Sequence, residues 1–291
     1  VSPVLSDVHD ITAWFRREAR DLPWRRHGVS PYAVLVSEIM LQQTPVARVL
    51  TPWEDWVRRW PDAASLAAAP SGEAVRQWGR LGYPRRALRL HAACVAMVER
   101  HGGQVPSSVA ELLALPGVGT YTARAVAAFA FGARVPVVDV NVRRVLARAV
   151  QGEADGPRSV TQGDLALVES LLPLQEAPLA SVALMELGAL VCTARAPQCG
   201  RCPVAGRCAW LLAGSPAAQV GRQRARQTWT GTDRQVRGLL MAVLRASTQP
   251  IAAEVLQAVW DEPVQRSRAL AGLLADGLAR ELPDGGYALP A

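Results

Sequence analysis

Cys192, Cys199, Cys202 and Cys208 stand in one short stretch with six, two and five residues between them, while Cys94 lies far upstream. Thiolates this close cannot all pair as disulfides without straining the short loops, whereas a metal ion or a compact inorganic cluster can take four at once. Structural zinc commonly uses two similar Cys-x-x-Cys knuckles set well apart, but this run has one knuckle between two unequal arms. The spacing favours a [4Fe-4S] cluster and leaves zinc as the alternative. Metal-bound thiols also suit a reducing compartment, so a cytoplasmic protein is expected.

The chain has 291 residues, enough for one large or two moderate domains around a proper core. Aromatic residues are sparse, and Ala, Leu, Val and Arg dominate without long β-branched runs, which favours helix over sheet. The formal charge is +7, and all 32 basic residues are arginine, because the sequence contains no lysine. A basic surface suits an anionic partner and the planar guanidinium suits phosphate, although coding-DNA composition would give the same bias. No run of about 18 apolar residues and no basic-then-apolar leader occurs, so a soluble, untargeted protein is expected.

Ser30 as N-cap and Pro31 at the first helical position open a helix predicted through residue 43, with Glu38 in its middle. Short helical patterns broken by Pro52, Pro61, Pro70 and Gly82 continue to about His101. Ser107 or Ser108 caps a helix to Ala114, the turn Leu115-Pro116-Gly117-Val118-Gly119 interrupts it, and residues 120–131 resume helix. Asp139 stands at an N-cap position before a helix over residues 140–150, and residues 179–191 form an apolar helix leading into Cys192. After Trp210 the run Gly214, Ser215, Pro216, Arg222, Arg224 and Arg226 reads as a basic linker. Helices are then predicted over 234–246, 251–260 and 264–281, followed by a short hairpin with a Gly-rich tip. Three helices and a hairpin suggest a winged-helix module; a small helical domain packed on the rest is the alternative.

Gly117 and Gly119 allow a tight turn that exposes N–H groups at the start of the next helix, where an anion is favoured. Such a turn is a phosphate clamp or an ordinary helix connection. Glu38 shares a helix face with Val34, Leu35 and Leu41; in a dry pocket its carboxyl would hold a proton near neutrality, and on a solvated face it would not. Asp139, as an N-cap, would instead be held as an anion by backbone N–H groups. A proton donor and a fixed carboxylate together suit glycosidic-bond cleavage, which needs a protonated leaving group and a stabilised oxocarbenium-like sugar.

The run Ser37-Glu38-Ile39-Met40-Leu41-Gln42-Gln43-Thr44, the hairpin Leu115-Pro116-Gly117-Val118-Gly119-Thr120-Tyr121-Thr122-Ala123, the segment Val138-Asp139-Val140-Asn141-Val142-Arg143-Arg144-Val145 and the cysteine run together resemble the MutY-type adenine DNA glycosylases of the helix-hairpin-helix superfamily. The resemblance covers roughly residues 10 to 210. It implies an all-α fold, with a six-helix barrel (29–132) carrying the helix-hairpin-helix and an iron-sulfur domain built from 1–28 and 133–213. A basic linker (214–230) and a winged-helix-like domain (231–291) would follow. By the same resemblance Glu38 is the general acid and base at the adenine, and Asp139 stabilises the sugar cation or forms a transient adduct, with Tyr121 and Asn141 supporting the pair. Gln42, Gln43, Tyr83, Leu115, Gly117, Val118 and Gly119 would meet DNA, with Gln43 and Tyr83 entering the duplex as the target base is flipped. Leu22, Trp24, Arg25 and Val182 would line the base pocket, and the four cysteines would hold a [4Fe-4S] cluster.

Bifunctional members of the superfamily carry a lysine nucleophile where this sequence has Tyr121, so a monofunctional enzyme that leaves an abasic site is expected. The implied partner is double-stranded DNA with a mismatch or oxidised base, bound by a monomer associated with the bacterial nucleoid and with no membrane. Two departures bear on substrate. Val182 replaces a polar reader of the base edge, worth about 1–3 kcal/mol of discrimination. Residues 231–291 also lack the strands of a Nudix-like module that recognises 8-oxoguanine. The alternatives are a thymine or uracil mismatch glycosylase and a non-enzymatic iron-sulfur DNA-binding regulator. Within the cysteine run, Arg195, Arg201 and Arg207 are expected to face a DNA backbone.

Overall fold

The computed structural model of the protein describes residues 8–156, 159–217 and 229–291, so the arginine run at 222, 224 and 226 lies outside the described residues. The chain divides into two compact units. One is drawn from Val1–Val34, Ser107–Ala110 and Gly119–Gln223, and the other from Leu35–Pro106, Glu111–Val118 and Arg224–Ala291.

In the first unit, α1 (His9–Glu18) and α9 (Val140–Leu146) pack on α11 (Ala177–Leu190). Helix α11 is apolar nearly all round, which is the pattern of a helix enclosed by others. Its Ala180, Ala183, Leu184 and Leu187 share a core with Ile11, Trp14, Val142, Leu146 and Val168. Close approach of α9 depends on Gly188, where an added Cβ would lie 2.7 Å from the Asn141 Cβ. Helix α8 (Thr120–Phe131) follows the hairpin, and α10 (Gln162–Leu171) starts at a reciprocal Thr161–Asp164 capping box. The helix expected over 140–150 changes character instead: α9 gives way to a π-helical turn, Ala147–Gln151, which ends at left-handed Gly152.

In the second unit, α4 (Ala63–Ala67) and α5 (Ser71–Trp78) pack on α6 (Arg85–His101). Trp56 of α3 (Val46–Arg59) meets Trp60 and Trp78 edge to face, with centroids 4.8 and 5.6 Å apart. Helix α2 (Pro31–Leu41), which starts in the first unit and enters the second at Leu35, begins as expected, with Ser30 Oγ accepting from the Ala33 N–H, but it stops two residues short of the predicted end. Gln43 turns left-handed there, at φ 56°.

The C-terminal residues of this unit form α13 (Asp233–Ala246), α14 (Ala253–Gln257), α15 (Pro263–Ala275) and a hairpin of β1 (Arg280–Glu281) with β2 (Tyr287–Ala288). Two predicted helices are shorter than expected. Ile251 forms a bridge with Tyr287 rather than starting a helix, adding a third short extended segment to the hairpin. Helix α15 stops because Gly277 is left-handed, which frees residues 280–281 to pair as a strand. This helical module with its small wing docks on α5: Gly72 N–H donates to the Pro290 carbonyl at 3.0 Å, where a Cβ on residue 72 would collide. Asp276 binds both Arg85 and Arg237, and Arg245 donates to the Gly79 carbonyl. No helix among the described residues is long and apolar enough to cross a membrane.

Candidate active site and metal centre

Asp139 is the N-cap of α9, and its Oδ1 accepts from the Val142 N–H at 2.7 Å. Its Oδ2 accepts from Asn141 Nδ2 at 2.8 Å. Asn141 Oδ1 in turn accepts from Arg144 at 2.7 Å, and Arg144 also reaches the carbonyls of Gly188 at 2.7 Å and Cys192 at 2.6 Å. The carboxylate and the first cysteine are thus joined through two side chains. Expected as a readily ionised cap, Asp139 is instead raised above the ordinary carboxyl range. Burial outweighs the opposing Val142, Asn141 and Arg144 interactions, because desolvation disfavours the anion more than these partners favour it.

Tyr121 lies half-buried on α8 against the Ala125, Ala128 and Val137 cluster, in the same unit as Asp139. Glu38 belongs to the other unit. It is 6% exposed within α2, flanked by fully buried Ser37 and by Ile39, so it does not lie on a solvated helix face. The two carboxylates come from segments folded by different means, one a helix interior and one a helix cap.

Leu22, Trp24 and Arg25 sit at a short 3₁₀ turn, Pro23–Arg25, with Leu22 and Trp24 buried. This turn is tied to α11 by Glu186, whose fully buried carboxylate takes Arg20 at 2.7 Å and Arg25 at 2.9 Å. Despite burial, these two guanidinium partners hold Glu186 down at about 2. Val182 is one helical turn before Glu186 and therefore shares its face, half-buried on the core of the first unit. Arg25 Nη1 and Ser181 Oγ are buried without a partner among the described residues. Glu186 carries no motif signal of its own, and only its i, i+4 spacing from Val182 pointed to this face.

The loops bearing Gln43 and Tyr83 are organised by Arg86, which sequence reasoning passed over. Its guanidinium donates to the carbonyls of Ile39 at 2.9 Å, Met40 at 3.1 Å, Gly82 at 3.0 Å and Gln42, and to Thr44 Oγ1 at 3.0 Å. A buried cation here satisfies the orphan carbonyls at the end of α2. The signal was present: Arg86 lies on the same α6 face as buried Leu90 and Met97. Tyr83 is left-handed at φ 48° and 48% exposed, and strained non-glycine positions of this kind concentrate at functional sites.

In the hairpin, Gly117 is left-handed and passes so close to α6 that a Cβ would lie 2.5 Å from the Arg89 Cβ. Leu115 and Val118 are buried, while Gly117 and Gly119 are exposed.

The four cysteines are all free thiols. Burial pushes Cys202 up to about 11, and the neighbouring Cys192, Cys208 and Cys199 push the same way against the Val204 N–H. Arg148 donates to Cys192 Sγ at 3.5 Å and to the Thr193 carbonyl at 2.7 Å. Four thiols that repel one another as anions, with a cation beside one of them, form a donor set suited to a positively charged inorganic centre. Among the described residues no three His, Cys, Asp or Glu side chains gather tightly enough for a single ion. Two of the loop arginines are exposed and paired with carboxylates. Arg201 pairs with Glu18 at 3.4 Å and Arg207 with Asp10 at 2.5 Å, because α1 presents carboxylates to this loop. Cys94 stands apart, buried in α6 and pushed up to about 12.

Residues 36–168 match the HhH-GPD superfamily base excision DNA repair protein family, and residues 192–208 match the iron-sulfur binding domain of endonuclease III. The chain is 54% identical over 288 residues to the adenine DNA glycosylase of Mycobacterium tuberculosis, covering 98% of this chain and 94% of that protein. The chain belongs to the adenine DNA glycosylase family. It is therefore a DNA glycosylase with an iron-sulfur centre, and the loop from Cys192 to Cys208 is the segment that holds it.

Within this family the Mycolicibacterium smegmatis adenine DNA glycosylase is 54% identical over 291 residues, 96% of its own length. The shared region thus includes the C-terminal helical module. The Homo sapiens adenine DNA glycosylase is 41% identical over 218 residues, which are 69% of this chain but only 40% of the human protein. A solved thermostable thymine-DNA glycosylase superposes with TM-score 0.65 at 28% identity, over 71% of this chain and 95% of that one. A trapped endonuclease III–DNA covalent intermediate gives TM-score 0.62 at 23% identity, over 72% of this chain and 95% of that one, and shows the same fold.

Proposed function

We propose that this adenine DNA glycosylase family member binds double-stranded DNA and releases adenine mispaired with 8-oxoguanine or guanine by hydrolysing the N-glycosidic bond. The observation that carries the reading is Asp139, buried and held by Val142 and Asn141 at a fixed helix cap. Glu38, in its dry helical setting, is the proton donor to the leaving base and then the base for water. Asp139, as the anion, stabilises the positive charge that grows on the sugar, and Asn141 keeps its oxygen aimed. Arg25, with its spare buried Nη1, and Leu22, Trp24 and Val182 hold the base. The mycobacterial relatives, which are adenine DNA glycosylases and share the helical module at residues 231–291, support adenine despite Val182.

Tyr121 stands where a lysine nucleophile would be needed for strand cleavage, and residues 1–291 contain no lysine, which supports a monofunctional enzyme. The centre held by the cysteines is a [4Fe-4S] cluster, in keeping with four thiolate ligands and no spare one nearby. When bound, it closes the 192–208 segment into one rigid loop.

Single-turnover base release tests the proposal, using duplexes with A, T or U opposite 8-oxoguanine, guanine or cytosine, with and without alkali. Adenine release that yields strand breaks only after alkali is expected. Release of T or U alone would transfer the activity to that of the solved thymine-DNA glycosylase, and breaks without alkali would overturn the monofunctional assignment.

A further inference from the structure

The second unit contains a groove of about 890 Å³ bounded by the Gly79–Arg86 turn on one side and α13 on the other. Seven arginines line it (Arg80, Arg85, Arg86, Arg89, Arg234, Arg237 and Arg245) against a single carboxylate, Asp276. That carboxylate is already shared by Arg85 and Arg237. Arg86 and Arg245 are spent on backbone carbonyls. Arg89 and Arg234 have no carboxylate partner among the described residues, so the groove carries an uncompensated positive field.

Its aromatic residues are arranged unusually. The Arg234 guanidinium lies 5.5 Å from the Tyr83 ring centroid and 5.4 Å from that of Trp229. On the other side of the ladder, Arg86 lies 5.5 Å from Tyr83 and 5.2 Å from Trp78. Trp78, Arg86, Tyr83, Arg234 and Trp229 therefore alternate ring and cation from the buried core out to the helical module. The inner members are buried, while Tyr83 and Trp229 are 48% and 52% exposed. Tyr83 is also left-handed, a strained setting of the kind that gathers at functional sites.

Flat π surfaces beside unpaired guanidinium groups are complementary to a ligand that is flat, aromatic and anionic. An acidic peptide would satisfy the charge but not the planes, and an apolar helix would bury unpaired cations. An unstacked nucleotide satisfies both: its base stacks on a ring and its phosphate meets the arginines.

We infer that Tyr83 and the C-terminal module, through Trp229 and Arg234, form a second nucleotide subsite, which holds an unstacked nucleotide of the bound DNA apart from the one whose base is excised. Trp229, with a cation over it on one side only, provides the stacking face, and Tyr83 is held between Arg86 and Arg234 as its support. Arg234 fixes the Tyr83 ring and contacts phosphate. The inference rests on the proposed DNA substrate, and it gives the helical module a direct part in recognition.

The test is equilibrium binding of the full chain, with its cluster intact, to a duplex holding a non-cleavable abasic analogue, compared with the fully paired duplex. Stacking of one base on an aromatic ring is worth about 1–3 kcal/mol, so W229A should weaken binding to the analogue duplex by roughly 5- to 150-fold while sparing the paired duplex. R234A should weaken it too and reduce the slope of log affinity against log salt by about one, whereas R234K should restore the slope but not the full affinity. Losses equal on both duplexes, or none, would overturn the subsite. Photocrosslinking with iododeoxyuridine, scanned along both strands with the wild-type chain, checks it without any variant. Adducts on Trp229 support the subsite, and adducts confined to other residues overturn it. Base release by the same wild-type preparation keeps the two readings apart: release with normal W229A and R234A binding sinks only the subsite, and no release sinks the glycosylase reading itself.

Discussion

Gly188 of α11 gives up its side-chain space to Asn141 of α9: an added Cβ would lie 2.7 Å from both the Cβ and the carbonyl oxygen of Asn141. The same Gly188 carbonyl accepts from Arg144, which orients Asn141 from the other side. Asn141, and through it the Asp139 oxygen, is set by helix packing rather than by its own rotamer preference. Gly188→Ala should therefore force the helices apart, at about 1–3 kcal/mol for an overpacked contact. The expected outcome is a lowered melting temperature together with slower single-turnover base release. A variant that melts lower but releases base at the wild-type rate would show that Asn141 does not depend on this contact.

Asp139 separates capping from chemistry. Asparagine caps a helix about as well as aspartate, so Asp139→Asn should keep α9 while removing the charge. Burial raises the folded-state pKa of Asp139, so its contribution to stability is complete below the unfolded value near 3.9 and is lost as the pH rises through the folded one. The variant should thus be at least as stable as wild type at neutral pH, with a margin that shrinks on acidification towards pH 4. Base release should fall by more than about 100-fold, within the range for loss of a charge that stabilises a transition state. Thermal melts across pH and single-turnover rates check the two halves independently.

Glu186 has the opposite sign. Held at about 2 by Arg20 and Arg25, its contribution to stability is present above the usual glutamate range and is lost as the pH falls from there towards 2. Breaking a buried pair by removing one partner costs about 3–5 kcal/mol. Glu186→Gln should melt well below wild type at pH 7, and the gap should narrow steadily below about pH 4. A gap independent of pH would assign the loss to packing instead.

Loss of the iron-sulfur centre should act locally first. Beyond the cysteines, the described ties from the 192–208 loop to α1 are the exposed Arg201–Glu18 and Arg207–Asp10 pairs, and exposed ion pairs contribute about 0–1 kcal/mol each. Cys199→Ser should lower the iron content and open this loop to limited proteolysis ahead of the helices in its unit. Cleavage starting elsewhere would contradict the placement. Cys94, buried and pushed up to about 12, should resist alkylation in the folded protein either way.

Helix starts were legible because capping is local. Ser30, Ser107 or Ser108, and Asp139 were read from residue type and the pattern just after them, and α2, α7 (Val109–Leu113) and α9 follow these positions. Helix ends were less legible, because Leu41 and Ala275 stop where tertiary demands begin: a left-handed Gln43 in one case and a strand partner for residues 280–281 in the other. The residues proposed for the chemistry came from motifs, whereas the residues that hold them did not. Arg86, Arg144, Glu186 and Gly188 act through partners distant in sequence, and nothing in the spacing of one chain announces which carbonyl a guanidinium will meet. Asp139 was read as an easily ionised cap because the cap is local and the burial that opposes it is not.

Arg86 ties the two loops that bear Gln43 and Tyr83 to one another. One guanidinium holds the Gln42 carbonyl beside Gln43 and the Gly82 carbonyl beside Tyr83, so displacement of either loop weakens the attachment of the other. Double-mutant cycles would treat Gln43 and Tyr83 as one thermodynamic unit, with a non-zero coupling energy although neither residue is required to touch the other.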